Sequence, residues 1–333
     1  MLKSKDIRER LKDIEEYLLA EYKETRKEQE TKRDWRTYEQ RLMRRIQKAM
    51  RNLEPLIDEA VSTIKIKRGK GKKPSLTLRQ KVMLLLLKEL FGKSNRMMAS
   101  MLMVFSFLSG VDVGYKTVER LYSDPLVEMA IHNLHVLILQ KKGVNHVDAA
   151  GDGTGYSLSI RRHYASEVKK RKDKVKDKEG NGAKAFVYSF KMLDIQTNMY
   201  VCYGMSLRSE KEAFDKAMLM LEEIDVEINS ARLDKYYSCA TYVDRFNDAT
   251  VYVIPKKNAT LRGSRKWKQT MKCFVYDTLE YLEEYYKRNN SEAGFSTDKR
   301  WFGWKIEQRR EDRIETALNC GNIWHNLFNL YTD

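Results

Sequence analysis

Cysteine is scarce and scattered: Cys202, Cys239, Cys273 and Cys320 are the only four in 333 residues. None forms a C-x-x-C pair or sits near histidine at zinc-ligand spacing, which excludes a zinc ribbon and a disulfide-framed fold and predicts reduced thiols in or near a core. Long apolar runs are missing too. The longest, 82–87 (VMLLLL), is cut by Lys88 and is far too short to cross a bilayer, and the opening MLKSKDIRERLKD has no apolar signal region. The expectation is a soluble cytoplasmic, nucleoid-associated protein with no membrane partner. Acidic excess is also absent, with 63 Lys+Arg against 47 Asp+Glu and a formal charge of +16. Most of these charges are solvated surface in any fold, but the surplus favours a polyanion, because each phosphate contact releases counterions. Nucleic acid is the expected partner.

Glycine is lacking from residues 1–60 and proline before Pro55; this segment is dense in Lys, Arg and Glu and reads as charged helix. Ile7, Leu11, Ile14 and Leu18 form a seam of about two heptads. A short amphipathic helix packing on its own protein is the first reading, a coiled-coil dimer the second. Residues 65–73 (KIKRGKGKK), closed by Pro74, are a basic linker, suited to phosphate contact or to a solvated hinge. From Ser75 helices are expected over 76–90, over 94–103 with Ser94 as N-cap, over 115–122 after a break at Gly110–Gly114, and over 126–139. Lys116, Thr117 and Arg120 on the third fit a helix-turn-helix that reads DNA, and a plain bundle equally.

At Gly143 the pattern changes to strands. Strand 144–149 leads to Asp152; strands 186–190 and 199–203 read as a hairpin turning near Thr197-Asn198. Helix 212–224, strand 226–233 ending at Asp234, helix 238–246 capped by Ser238, and strand 251–254 follow. The fold class expected is α/β: a mixed sheet flanked by helices, over 143–333, behind a charged helical segment (1–64), the linker (65–74) and a helical DNA-binding region (75–142). Sites in such sheets gather at strand ends. The lysine-rich stretch 166–184 reads as a solvated loop or an arm on DNA, and 256–270 is a second basic stretch, with Trp267 available for base stacking.

Chemistry concentrates in carboxylates that are remote in sequence. Asp152 opens Asp-Gly-Thr-Gly, with the Thr154 hydroxyl two residues on; the string is also an ordinary turn, and Asp148 competes as the acid. Asp234 precedes Lys-Tyr-Tyr. Tyr285, Arg288, Glu292 and Lys299 follow at offsets that would share one helical stripe roughly 60° wide, although an Arg–Glu pair on a solvated helix is the blander reading and Gly294 weakens a continuous helix. Oxygen donors without Cys or His predict Mg²⁺ or Mn²⁺, and two such ions between carboxylates can activate one phosphodiester oxygen and stabilise another.

These motifs resemble the DDE transposases of prokaryotic insertion sequences, in particular the subgroup marked by Tyr-(2)-Arg-(3)-Glu-(6)-Lys, which Tyr285, Arg288, Glu292 and Lys299 match without a gap. The resemblance covers about 75–330 and implies a ribonuclease-H-like core. It implies a metal-binding catalytic triad of Asp152, Asp234 and Glu292, and contacts from Tyr285, Arg288 and Lys299 to the element's end. The double-stranded DNA partners would be transposon ends and target, with a homodimer assembled on DNA. Tyr236 stands where the family's Asp-Lys-Gly-Tyr form has glycine, and the short run from Ile254 to Tyr285 implies no large β-rich insertion. The alternatives are a non-catalytic DNA-binding regulator and a nuclease that cuts without joining.

Overall fold

The computed structural model describes residues 2–15, 34–66, 74–109, 111–158 and 186–332. Leu18, residues 67–73 of the basic linker and the lysine-rich stretch 166–184 lie outside them.

Among the described residues, helices come first: α1 (Ser4–Asp13), α2 (Trp35–Ser62), α3 (Leu78–Phe91), α4 (Asn95–Ser109), α5 (Tyr115–Leu121) and α6 (Pro125–Lys142). Their ends follow local chemistry. Thr77 and Gln80 form a capping box at α3, which stops at Gly92 in the left-handed region (φ 58°). Asp124 caps α6 ahead of Pro125, and Gly143 (φ 76°) ends it. Ser94 accepts from the Met97 N–H as expected of a cap. The N-terminal seam packs on the same chain: Ile7, Leu11 and Ile14 are buried, and the Ser4 hydroxyl accepts from the Leu261 N–H.

The sheet follows: β1 (His146–Leu158), β2 (Phe186–Asp194), β3 (Tyr200–Ser206), then α7 (Glu210–Glu223) and β4 (Glu227–Leu233). Short turns, including α8 (Ala240–Val243), lead to β5 (Thr250–Val253). The chain closes with α9 (Arg265–Tyr276), α10 (Thr278–Tyr286), α11 (Asn289–Phe302), β6 (Lys305–Ile306) and α12 (Glu311–Leu330). Strand order is β3-β2-β1-β4-β5, with β6 beside β1. β1–β2 and β2–β3 are antiparallel; β4 and β5 run parallel to β1. A mixed sheet flanked by helices was the expected class, and it is consistent with a ribonuclease-H-like fold.

Alternation along the strands assigns the two faces. Phe190 meets Phe214 of α7 and Tyr237 on one face. Lys191, Leu193 and Tyr200 lie on the other, under α11 and α12. Asn326 of α12 bonds both the N–H and the C=O of Tyr200, at 2.7 and 2.8 Å, so the helix completes the edge of β3 as a strand would. The β2–β3 hairpin turns at Asn198, which takes the left-handed conformation (φ 56°) that asparagine tolerates.

Three expectations are corrected. Asp152 is inside β1, not in a turn after a strand, because β2 pairs with β1 as far as Ser157. The helix expected over 238–246 is broken into a 3₁₀ turn (Lys235–Tyr237), α8 and a second 3₁₀ turn (Asp244–Phe246). Asp234 caps the first of these by accepting from Tyr236 N–H at 2.8 Å, tightening the chain before a helix can start, and Cys239 rather than Ser238 occupies the N-cap of α8. Trp267 is 3% exposed and its indole N–H donates to Thr260 O at 2.8 Å, so it is a core residue and has no face for a base.

Candidate active site

Parallel pairing of β1 with β4 ends at Gly151 opposite Leu233. The next residues on the two strands are Asp152 and Asp234, placed side by side where β4 stops. A Cβ on Gly151 would meet Phe190 and Leu233, so that position faces α7 and Asp152 points to the α11 side. Each acid then spends one oxygen locally. Asp152 Oδ1 accepts from the Gly153 N–H at 2.7 Å, and Asp234 Oδ1 from Tyr236 N–H. The other oxygens turn to a shared cation: Arg288 Nη1 lies 2.5 Å from Asp152 Oδ2, and Nη2 lies 3.8 Å from Asp234 Oδ2. Two acids 82 positions apart are thereby joined through one guanidinium.

Asp148 is placed differently. It accepts from Ser230 Oγ and lies 3.8 Å from Arg232, whose Nε also donates to Glu284 O at 3.1 Å. Four residues of strand, about 13 Å, separate it from Asp152.

The C-terminal tetrad is divided between two helices, correcting the single stripe expected from its spacing. Tyr285 is in the last turn of α10, Lys287 and Arg288 form a turn, and Glu292 and Lys299 ride on α11. The turn is closed by i to i+3 bonds, Lys287 N–H to Glu284 O and Arg288 N–H to Tyr285 O, and the Asn289-Asn290-Ser291 run that follows favours helix starts over interiors. Gly294, the residue expected to weaken the helix, lies inside α11. Glu292 is on the first turn of α11, four residues after Arg288; the side chains of residues 290–293 are outside the described set. Among the described residues no three His, Cys, Asp or Glu groups gather as a metal cluster.

Tyr285 is buried, with Arg288 5.8 Å from its ring centroid. Burial pushes its phenol up to about 12, against the opposing pull of Arg288. The Lys299 ammonium stands 4.5 Å from the Trp304 ring and 5.5 Å from that of Tyr156, and burial followed by the charge of Lys191 draws its pKa down. Thr154 is two residues beyond Asp152 on the same face. Lys116 and Arg120 are exposed on α5. They join none of the acids; their neighbour Glu119 pairs with Arg313 of α12.

Two groups escaped the sequence reading. The first is a cationic stripe on α2. Arg41, Arg44, Lys48 and Arg51 fall within roughly 80° of each other over about 15 Å of helix. All four are exposed, opposite the buried Ala49, Leu53, Ile57 and Ala60. No acid lies between Arg41 and Arg51, whereas the acids later in α2 are occupied, Asp58 by Arg79 and Glu59 by Lys141. The i, i+3, i+7, i+10 spacing was the available signal. The second is Lys191, a lysine inside the apolar strand FVYSFKML, which is 2% exposed and bonded to Asp298 of α11 at 2.7 Å.

No protein-family profile matches the chain. It is 43% identical over 325 residues, 97% of this chain and 95% of the relative, to an Archaeoglobus fulgidus protein described as a probable transposase for insertion sequence element ISA1214. No helix among the described residues is long and apolar enough to cross a membrane. Likeness over nearly the whole of both chains, with the two aspartates brought together at the end of a mixed sheet, identifies this protein as a member of the insertion-sequence transposases.

Proposed function

We propose that this transposase cleaves and joins DNA through a DDE site made of Asp152, Asp234 and Glu292. The observation that carries the reading is the pair of aspartates that each fix one oxygen on a backbone N–H and turn the other to the same cation. That donor set fits Mg²⁺ or Mn²⁺: it is all oxygen, preorganised, and already close enough for both acids to touch one positive group. Asp152, Asp234 and Glu292 would hold the ions. Two bound ions would supply stabilisation of both the attacking and the leaving oxygen of a phosphodiester.

The chain's own cations supply the grip. Arg288 presents a planar fork that matches a phosphate as well as it matches the acids it now bridges. Tyr285 backs that guanidinium from below, and Lys299, held between Tyr156 and Trp304, presents a second positive group on the same helix as Glu292. Hydrolysis at an element's end would free a 3′ hydroxyl, and that hydroxyl would attack target DNA, with no covalent bond to the protein. Duplex DNA would lie along α11, with the α2 stripe and exposed Lys116 and Arg120 as sequence-independent phosphate contacts and a homodimer pairing two ends.

The test uses the purified protein, duplexes carrying the ends of its own element with their flanks, and Mn²⁺. Cleaved ends followed by joined products are expected, and neither with Asp152→Asn. Cleavage that never proceeds to joining would favour a nuclease; binding without cleavage would favour a regulator.

A further inference from the structure

Helix α11 is pinned to the sheet at two ionic points, and Glu292 lies between them. Arg288, at its N-cap, reaches Asp152 and Asp234. Ten residues on, Asp298 reaches Lys191, which stands directly opposite Asp152 in the β1–β2 register and therefore on the same face. Lys191, Asp152 and Asp234 thus form a row across β2, β1 and the end of β4, and α11 is tied to both ends of that row.

The Asp298 anchor is fully enclosed. Its Oδ2 accepts from Lys191 Nζ at 2.7 Å and from the Tyr200 hydroxyl at 2.8 Å; its Oδ1 is 2.8 Å from His325 Nδ1. His325 is held in turn by Asn198 O, 2.8 Å from Nε2, and its ring stacks on Tyr200 with centroids 4.0 Å apart. Burial opposes the charge on Asp298, but Lys191 and His325 outweigh it and keep the carboxyl well below its usual range. Gly294, one turn before Asp298, lets the helix settle onto this cluster: a Cβ there would stand 3.2 Å from the Tyr200 hydroxyl.

We propose that Lys191, Asp298, Tyr200 and His325 are positioning residues that set the depth and rotation of α11, and with it the placement of Glu292 against Asp152. This rests on the catalytic reading of Glu292 above. A cluster serving stability alone could be replaced by apolar groups of similar volume, since buried ion pairs are often exchanged that way without loss. A positioning cluster could not, because three directed bonds to one carboxylate fix an orientation that apolar packing leaves free.

The experiment compares the full-length protein with Lys191→Met/Asp298→Leu, and with Tyr200→Phe, which removes one bond and no charge. Hydrogen–deuterium exchange over 289–302 reads the helix without any catalysis, and single-turnover cleavage with Mn²⁺ on saturating end DNA reads its consequence. In the double variant α11 amides should exchange at least about tenfold faster while those of α12 keep their protection, and cleavage should fall by a similar factor with DNA affinity within about twofold. Tyr200→Phe should move both readouts in the same direction by about threefold with an unchanged melting temperature; it decides the matter if the double variant does not fold. Unchanged exchange in α11, or a rate loss that only follows the fraction unfolded, overturns the proposal. Faster exchange in α11 with no cleavage by the parent protein would refute the catalytic reading and leave the anchor standing.

Discussion

The two ends of α11 use the same chemistry, a basic group on carboxylate, and leave it in opposite states. At the sealed end, Lys191 and Asp298 are 2% and 4% exposed and every oxygen of the acid is bonded. At the open end, the Asp152 and Asp234 side chains are 15% and 38% exposed and share a single guanidinium between them. Saturation makes the first a fastening. Exposure keeps the second open to solvent, as the metal-binding role proposed above would require. On the function proposed above, burial is what separates the structural ion pair from the working one.

The comparison breaks most sharply at the open end. Asp152→Asn or Asp234→Asn should lower end cleavage by about 10³-fold or more, by removing a ligand that no neighbour replaces. Both variants should stay folded in a thermal scan, with Asp152→Asn the lower-melting of the two because it loosens the closer Arg288 contact. Next is Asp298→Asn, which strands Lys191 as a buried charge and should cost about 3–5 kcal/mol in chemical denaturation, with part regained in Lys191→Met/Asp298→Leu. The sign of its pH dependence follows from the depressed carboxyl. Stability from this group is fully present above the unfolded value of about 4 and is lost as pH falls below that toward the folded value. The Asp298 variants should lose that acid-side slope.

How much of this could be read beforehand depended on whether a residue's partners were near it in sequence. The strands around Asp152 and Asp234 are legible because alternation is local, and the two acids stand out because each follows a strand pattern. The place of Asp152 within a strand is not legible locally, since β1 extends past β4 by pairing with β2 and, at its end, with β6, both remote in sequence. Trp267 in its basic stretch looked exposed because the Thr260 carbonyl that takes its N–H is defined by a turn, not a periodicity. In the sequence Lys191 is one polar residue in an apolar strand. Its explanation sits on Asp298, 107 positions on, and nothing short of tertiary structure joins them.

Arg288 gives a subtler way to sharpen the contrast. If it is a place-holder at the open end, Arg288→Ala should bind Mn²⁺ more tightly in the absence of DNA, by about tenfold in a calorimetric titration, even as cleavage falls. Equal or weaker ion binding would mean the guanidinium organises the acids and does not compete for them.

The smallest effect is expected on α2. Arg44 lies mid-stripe, exposed, in a stretch with no acid from Arg41 to Arg51. A phosphate contact by one such cation contributes about 0.9 to the slope of log affinity against log salt concentration on duplex DNA. Arg44→Gln should therefore flatten that slope by about 0.9, and changing Arg41, Arg44, Lys48 and Arg51 together by up to about 3.6. Cleavage at saturating DNA and the melting temperature should both stay at the parent's values, because the stripe points away from the buried face of its helix. A slope that does not move would make the stripe ordinary solvated surface, and the DNA path would then have to be sought on α5 and α11 alone.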